Sequence, residues 1–412
     1  MIKNKIKKKD NSSNFMSDLF QESLSLIKEK PKCEYFGICG GCTIQDINFE
    51  SQVSIKQIYL EKDLKDLFQL KPELIERPIF GSVWGYRHKA RLSVRFVKKK
   101  SKLLIGFRER KSGFVTDMDS CLVLPTFFSR LLMPLRDLIN NLSIRDLIPQ
   151  IELAIGEKRN ESEIALILRV YKLPNNSDLS LLNEFSNKWK LQFWIQPKGP
   201  QSIYPLDQNK NNLKYFLPEY DLTIFFKPFD FTQINHKINR TLVNLVVRLL
   251  DLKCNDKVLD LFCGIGNFSL PIAKKAKKVI GVEGNKQLLE RATLNANFNA
   301  LENKVKFIQK DLFNISLDEI LKLGILGKIV VDPPRDGALQ LCKILLHIKK
   351  SKQKRLPKLI VYVSCNKMTF MRDVDFIVNK CKYVFSSLRI LNMFPHTNHC
   401  ELVGLFTRSK EN

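Results

Sequence analysis

An α/β fold is predicted for this chain of 412 residues. A C-terminal Rossmann-like domain on a parallel-type sheet follows a mixed, largely β middle domain that bears a cysteine cluster. Three features predict it. From residue 231 onward, segments with helical spacing alternate with short β-branched runs, the pattern of βαβ units. From residue 84 the apolar period shortens to two, as in a hairpin. Between residues 33 and 42 the stretch CEYFGICGGC gathers three cysteines.

Charge narrows the class of partner. The chain carries 68 Lys and Arg against 42 Asp and Glu, a net charge of +26. Part of that excess follows a Lys-, Asn- and Ile-rich composition. The remainder points to a polyanion, and nucleic acid is the first candidate because phosphates are met mainly by Lys and Arg. There is no apolar run long enough for a membrane span. The opening MIKNKIKKKD leads into NSSNFMSD rather than an apolar stretch, so it does not read as a secretory signal. A cytoplasmic monomer without a membrane or DNA partner is expected. Its ten cysteines then serve as thiols, metal ligands or nucleophiles rather than in disulfides.

The elements follow in order. Residues 1–30 form a basic tail without periodicity. FESQVSIKQIYLEKDLKDLFQL places Val53, Ile55, Ile58, Leu60, Leu64 and Leu67 at helical spacing and reads as one helix. WGYRHKARLSVRFV alternates Arg87, Lys89, Arg91 and Arg95 with Leu92, Val94 and Phe96. KKKSK is its turn and LLIGFRER the returning strand, and the basic face is read as lying on RNA. A helix over NHKINRTLVNLVVRLLDL precedes the strand KVLDLF. After it come SLPIAKKA, KVIGVE, KQLLERATLNANFNA, VKFIQKD, KIVVDPP and KLIVYVSC as alternating helices and strands.

The strand ends carry the chemistry. In DLFCGIGNF, Asp260 ends a strand, and Gly264 and Gly266 make a tight turn that lets backbone approach a ligand. Glu283 ends the next strand in KVIGVEGN, where a carboxylate accepts from both hydroxyls of a ribose. The phosphate-binding glycine pattern is incomplete, so a nucleoside cofactor without a pyrophosphate fits better than a dinucleotide. S-adenosylmethionine is such a cofactor, with Asp311 placed to meet its adenine amino group. Asp332 in VVDPPRDG is stranded at the same edge by two prolines that cannot continue the ladder. A cysteine ending a buried strand is ordinarily a small hydrophobe. Cys365, ending KLIVYVSC at this ligand-binding edge, is read instead as functional.

Six pieces in order, FDFTQIN (229–235), DLFCGIGNF, GVEGN, DPPRDG, YVSCN and MFPHTNHCE (393–401), resemble the RNA uracil-C5 methyltransferase family. GYRHKARL and GFRER in the middle region also resemble it, and the branch that modifies uridine 1939 of 23S ribosomal RNA is the most similar. The resemblance implies a class I methyltransferase domain over 231–412 and a middle RNA-binding region over 31–230. The helix near 49–70 is expected to pack on the catalytic domain. It assigns Cys365 as the nucleophile that adds to C6 of uracil and Glu401 as the base that removes the C5 proton. It places Gln233, Phe262, Asn267, Glu283, Asp311 and Asp332 around the cofactor. Phe231 is either a stacking partner for the flipped base or a core residue. His396 and His399 are read as structural or RNA-contacting, because Glu401 already fills the base position.

Cys33, Cys39 and Cys42, spaced C-x5-C-x2-C, and Cys121 in DMDSCLVLP by themselves fit zinc and iron–sulfur equally. The resemblance implies a [4Fe-4S] cluster held by these four thiolates, structural or RNA-binding in role because no iron is left open. The other cysteines (254, 263, 342, 381 and 400) are read as packing residues.

This chain departs from the family at three places. Lys367 follows Ser-Cys-Asn where the family usually has Pro; the expected effects are a looser turn, a lowered thiol pKa or a phosphate contact. The 32 residues before Cys33 are too few for the small RNA-binding barrel common in the branch, and the basic tail is expected to replace it in part. Asp311 stands where the branch often has Asn. The alternatives are an enzyme for another 23S uridine or for tRNA, a DNA cytosine-C5 methyltransferase, and, from another class, a noncatalytic RNA-binding ribosome-assembly protein. Intact Cys365 and Glu401 argue against the last.

Overall fold

The computed structural model describes residues 27–158, 161–208, 212–324, 327–351 and 356–408. The basic tail therefore lies almost wholly outside the described residues. Among the described residues the first long element is the predicted helix, α1 (Phe49–Phe68). Asn48 caps it by accepting from the Ser51 N–H at 2.9 Å, and Gln69 ends it in the left-handed region at φ 54°. Its apolar stripe is narrower than the spacing suggested. Val53, Ile55, Leu60 and Leu64 are buried, whereas Ile58 and Leu67 are exposed. A two-residue strand, β1 (Leu74–Ile75), follows.

The predicted hairpin is β2 (Lys89–Val97) and β3 (Lys102–Gly106), turned through Lys98–Lys100. With β4 (Gln150–Lys158), β5 (Glu161–Arg169), β6 (Leu191–Gln196) and β7 (Tyr204–Pro205) it forms a six-stranded sheet ordered β3-β2-β4-β5-β6-β7. Helices α2 (Leu132–Asn141) and α3 (Asn176–Trp189) bury Leu135, Ile139 and Leu182 against Leu92, Ile151 and Leu166 of this sheet. The pair β8 (Leu213–Leu217) and β9 (Leu222–Phe226) leads into the C-terminal domain.

There, α4 (His236–Leu249) precedes β10 (Lys257–Leu261). Then come α5 (Ser269–Lys275), β11 (Lys278–Glu283), α6 (Lys286–Phe298), β12 (Val305–Gln309) and β13 (Lys328–Val331). The chain continues through α7 (Leu339–Lys350), β14 (Leu359–Ser364), α8 (Lys367–Asp375), β15 (Tyr383–Leu391) and β16 (Glu401–Arg408). The sheet runs β12-β11-β10-β13-β14-β16-β15-β1. Strands β10 to β14 are mutually parallel, and β16 lies antiparallel to both of its neighbours. Successive residues point to opposite faces. Val258, Val330, Val361, Val363 and Val403 therefore join one core with α4 and α5. Leu259, Ile329, Ile360, Tyr362 and Leu402 join the other, with α7, α8 and the Leu60–Leu64 face of α1. Each fully buried Leu of that kind contributes about 1.5–3 kcal/mol. Thus α1, although N-terminal to the six-stranded sheet, packs on the C-terminal one, and β1 extends its edge beside β15.

Strand order reverses at β10, which has β11 on one side and β13 on the other. The carboxyl ends of β10 and its neighbours thus frame a topological switch point, where open α/β sheets bind ligands.

Candidate active site

Strand register brings Cys365 and Glu401 together. Ser364 of β14 pairs with Leu402 of β16, so the next step beyond the ladder sets Cys365 beside Glu401, which itself pairs with Leu391 of β15. Both side chains share the parity of Val361, Val363 and Val403 and point to the same face. Asp332 and Asp260 share the parity of Val330 and Val258, so they lie on that face too. Cys400 points into the opposite core.

This face is crowded with acid. Burial pushes Asp260 up to about 7, helped by the charges of Asp332 and Glu283. Burial likewise pushes Asp332 up to about 7. Glu401, 2% exposed, is held well above the usual carboxylate range by burial and then by Asp332. Cys365 is half-buried, and its thiol is pushed up to about 11 by burial, Glu401 and Asp332, against the opposing charge of Arg335. Two buried acceptors, Asp260 Oδ1 and Glu401 Oε2, have no hydrogen-bond partner. Orphaned acceptors and crowded carboxylates fit a ligand that carries a cation and N–H or O–H donors, as a sulfonium nucleoside does.

The turn after β10 is shaped for close approach. Phe262, Gly264 and Gly266 all have positive φ (63°, 53° and 95°), and a Cβ at Gly264 would meet nothing within 4 Å. Glu283 is oriented by the Gly264 N–H at 3.2 Å and the Asn285 N–H at 2.9 Å. Phe262 and Phe313 have ring centroids 5.6 Å apart. Gln233 is half-buried in the loop before α4, and nearby Phe231 is 70% exposed rather than in the core.

Besides Glu283, two of the expected cofactor residues already have partners. The Asn267 amide exchanges hydrogen bonds with Asn239 at 3.0 Å in both directions and accepts from the Tyr215 hydroxyl at 2.8 Å. Asp311 is exposed and accepts from the Phe313 N–H at 2.9 Å and the Asn314 side chain at 2.7 Å, bonds that lower its pKa.

Lys367 is bonded away from the thiol. Its ammonium pairs with Asp63 of α1. Asn366 caps α8 by accepting from the Met368 N–H at 3.1 Å, and its amide donates to the Arg335 carbonyl at 2.9 Å. Lys89, read from sequence as part of a face for RNA, instead donates to the Asp230 carbonyl, and burial lowers its pKa to about 8. Arg91 and Arg95 remain exposed on that strand. Arg335, which opposes the rise of the Cys365 pKa, and Gln52, described below, were not singled out from sequence. The basic residue in DPPRDG was the available signal for the first.

Cys33, Cys39, Cys42 and Cys121 line one cavity, with Tyr35, Phe36, Phe107 and Met118 among its walls. Burial raises the pKa of all four thiols, Cys42 to about 11 and Cys121 to about 12. Four soft donors without a carboxylate in the wall suit iron–sulfur or zinc rather than a hard cation. As the side chains stand, no group of three or more His, Cys, Asp or Glu among the described residues is arranged to hold a metal ion. None of the ten cysteines is in a disulfide, and no described helix is long and apolar enough to cross a membrane.

A largely parallel sheet with a glycine turn and strand-end carboxylates at its switch point is the architecture of a nucleoside-dependent methyltransferase. The chain belongs to the tRNA (uracil-5-)-methyltransferase family, whose model matches residues 49–410. It is an S-adenosylmethionine-dependent uracil-C5 methyltransferase. It is 48% identical over 387 residues to the 23S rRNA (uracil(1939)-C(5))-methyltransferase of Burkholderia thailandensis, covering 93% of this chain and 82% of that protein. The enzyme of the same description from Cupriavidus metallidurans is 46% identical over 384 residues, again 93% of this chain and 82% of that protein. Among solved structures, the Pyrococcus abyssi tRNA (uracil-54, C5)-methyltransferase in complex with S-adenosyl-L-homocysteine superposes with a TM-score of 0.67 at 25% identity. That match covers 90% of this chain and 86% of the other.

Proposed function

We propose that this chain methylates C5 of a uridine in 23S ribosomal RNA, the position for which its relatives are named. C5 of uracil is a weak nucleophile. Addition of the Cys365 thiolate to C6 makes a covalent adduct in which C5 is an enolate carbon, and C5 then takes the sulfonium methyl group. Glu401 removes the remaining C5 proton, the C5–C6 double bond re-forms and the thiolate leaves. Gln233, Phe262, Asn267, Glu283, Asp311 and Asp332 are assigned to the methyl-donor site, with Asn267 acting through Asn239 and Tyr215. The target base must leave its stack to expose its face, and exposed Phe231 suits stacking on it. The observation that carries this reading is the register that sets Cys365 beside Glu401 on the face shared with Asp332.

We further propose that Cys33, Cys39, Cys42 and Cys121 hold a [4Fe-4S] cluster within a region, 31–230, that binds RNA in the cytoplasm. The shared cavity and the soft donor set support it. When bound, such a closed cluster supplies a rigid cross-link between residues 33–42 and 121.

The decisive experiment incubates the protein with labelled S-adenosylmethionine and either 23S or tRNA transcripts, then maps the modified nucleotide. Label at uridine 1939 of 23S RNA is expected. Transfer to tRNA alone, or to another 23S uridine, would overturn the substrate assignment. RNA binding without transfer would favour a noncatalytic assembly factor.

A further inference from the structure

The nine residues 392–400 close the β15–β16 hairpin, and Glu401 is the first residue past them. This loop is anchored almost entirely by residues distant in sequence. The Thr43 and Ile44 N–H groups donate to the His396 carbonyl at 2.7 and 3.1 Å. The Tyr86 hydroxyl donates to the Pro395 carbonyl at 3.0 Å. Lys56 donates to Asn392 Oδ1 at 2.7 Å and to the Phe394 carbonyl at 3.1 Å. His396 is the hub. It is 2% exposed, holds φ at 63°, and stacks on Trp84 with centroids 4.1 Å apart. A non-glycine residue is uncommon in that left-handed region, His less so than most, and the contacts around His396 fix it there.

Gln52, fully buried on α1, supplies much of that fixing. Its Oε1 accepts from the His396 N–H at 3.0 Å, and its amide nitrogen lies 3.2 Å from His396 Nδ1. The same nitrogen donates to the Ile47 carbonyl at 2.7 Å. An amide nitrogen can only donate, so this contact requires Nδ1 to accept, which leaves the ring proton on Nε2, a buried atom without a hydrogen-bond partner. One side chain thus reads both the backbone and the tautomer of His396. It also ties them to the segment that follows Cys42.

We infer that Gln52 is a positioning residue for Glu401, acting through His396. The N-terminal segment that follows the cysteines thereby sets the geometry of proton removal rather than affinity for RNA. The inference rests on the proposed role of Glu401, and it makes a specific kinetic prediction. Proton removal comes after thiol addition and methyl transfer. A loosened Glu401 therefore slows only the release step, and the covalent RNA–protein adduct accumulates. General loosening of the fold would weaken addition as well and leave no adduct.

The test compares Gln52→Met with wild type for kcat, KM toward RNA and adduct that survives denaturing gel electrophoresis. Expected are a kcat lower by roughly 10- to 100-fold, up to the cost of a misplacement of about 1 Å, a KM that falls along with it so that kcat/KM is nearly unchanged, and accumulated adduct. Unchanged kcat, a raised KM with kcat intact, or a reduced kcat without adduct in a protein of unchanged melting temperature would each overturn it. Should Gln52→Met not fold, His396→Asn carries the same readouts, because Asn tolerates the left-handed backbone while losing the ring contacts. Glu401→Gln is the control that separates the two claims. If it traps no adduct, the role of Glu401 itself fails; if it does and Gln52→Met does not, only this inference fails.

Discussion

Replacing Lys367 by proline should leave both the fold and the rate nearly unchanged. Lys367 is the first residue of α8, two positions after the nucleophile. Its pair with Asp63 is about a quarter exposed on each side, 28% and 25%. Such a pair contributes about 1 kcal/mol once screening is counted. Proline at that position recovers most of it. The first N–H of a helix has no intrahelical partner to lose. Asn366 already sits at φ −126° and ψ 107°, the extended conformation that a following proline requires. Removing a cation from a helix N-terminus returns about 0.3–1 kcal/mol, and stiffening the unfolded chain about 0.4–1 kcal/mol. The net change should lie within about 1 kcal/mol of zero. Asp63→Ala in the wild-type background should cost about 1 kcal/mol, because it strands an ammonium beside positive helix dipoles. In the Lys367→Pro background it should cost almost nothing. Urea unfolding of the four proteins closes this cycle. An equal cost for Asp63→Ala in both backgrounds, or a loss above about 2 kcal/mol for Lys367→Pro, would refute the reasoning. Methyl transfer should stay within about twofold of wild type, since Asn366 and the Thr369 hydroxyl, 3.0 Å from the Arg335 carbonyl, hold the loop without Lys367.

Cys365→Ala should abolish methyl transfer while RNA still binds in a filter assay; residual transfer above about one part in a thousand would exclude Cys365 as nucleophile. In the ligand-free protein, alkylation of Cys365 by iodoacetamide should rise about tenfold per pH unit between 7 and 9, because the thiol is pushed up to about 11. Asp332→Asn removes one of the charges that raise it, so alkylation at pH 8 should be faster, and an unchanged rate would contradict the shared face. Asp260 and Asp332 are both raised to about 7, so each carboxyl stays protonated in the ligand-free fold where it has ionised in the unfolded chain, above about pH 4. The stability each contributes, read by urea unfolding as the difference between wild type and its Asn variant, should therefore fall as pH rises from about 4 to 7. S-adenosylmethionine, a cation, should raise the melting temperature more than neutral S-adenosylhomocysteine at pH 8, with a smaller difference at pH 5.5; equal shifts at both pH values would refute the cation-seeking reading. Cys42→Ser should lower the iron and sulfide that co-purify, measured per chain, while zinc in place of iron in the wild type would redirect the cluster assignment.

Much of the C-terminal sheet was legible because buried parallel strands are nearly continuous apolar runs. KLIVYVSC could hardly be anything else, and its end on Cys365 followed. The hairpin was legible from its period of two. The position of α1 was only partly so: Ile58 and Leu67 share the helical spacing of Leu60 and Leu64, yet only the last two are buried, because spacing fixes a stripe and not how far a neighbour wraps it. Lys89 shows the same limit for charge. Alternation put it with Arg91 and Arg95, but its long stem reaches a backbone carbonyl that no local pattern announces. Gln52 was invisible for a related reason, since its partner His396 is 344 residues away.

The antiparallel seat of β16 between β14 and β15 turns part of the enzyme into a counting device. Side chains on a strand alternate, so slipping β16 by one residue would turn Glu401 toward α7 and α8 and bring its neighbour to the thiol. Lengthening the 392–400 connection by one residue, if absorbed as such a slip, would preserve the sheet and silence the chemistry. An even-numbered slip would keep the facing and only displace the carboxyl along the strand. Parity, more than length, is what this stretch of chain has to conserve.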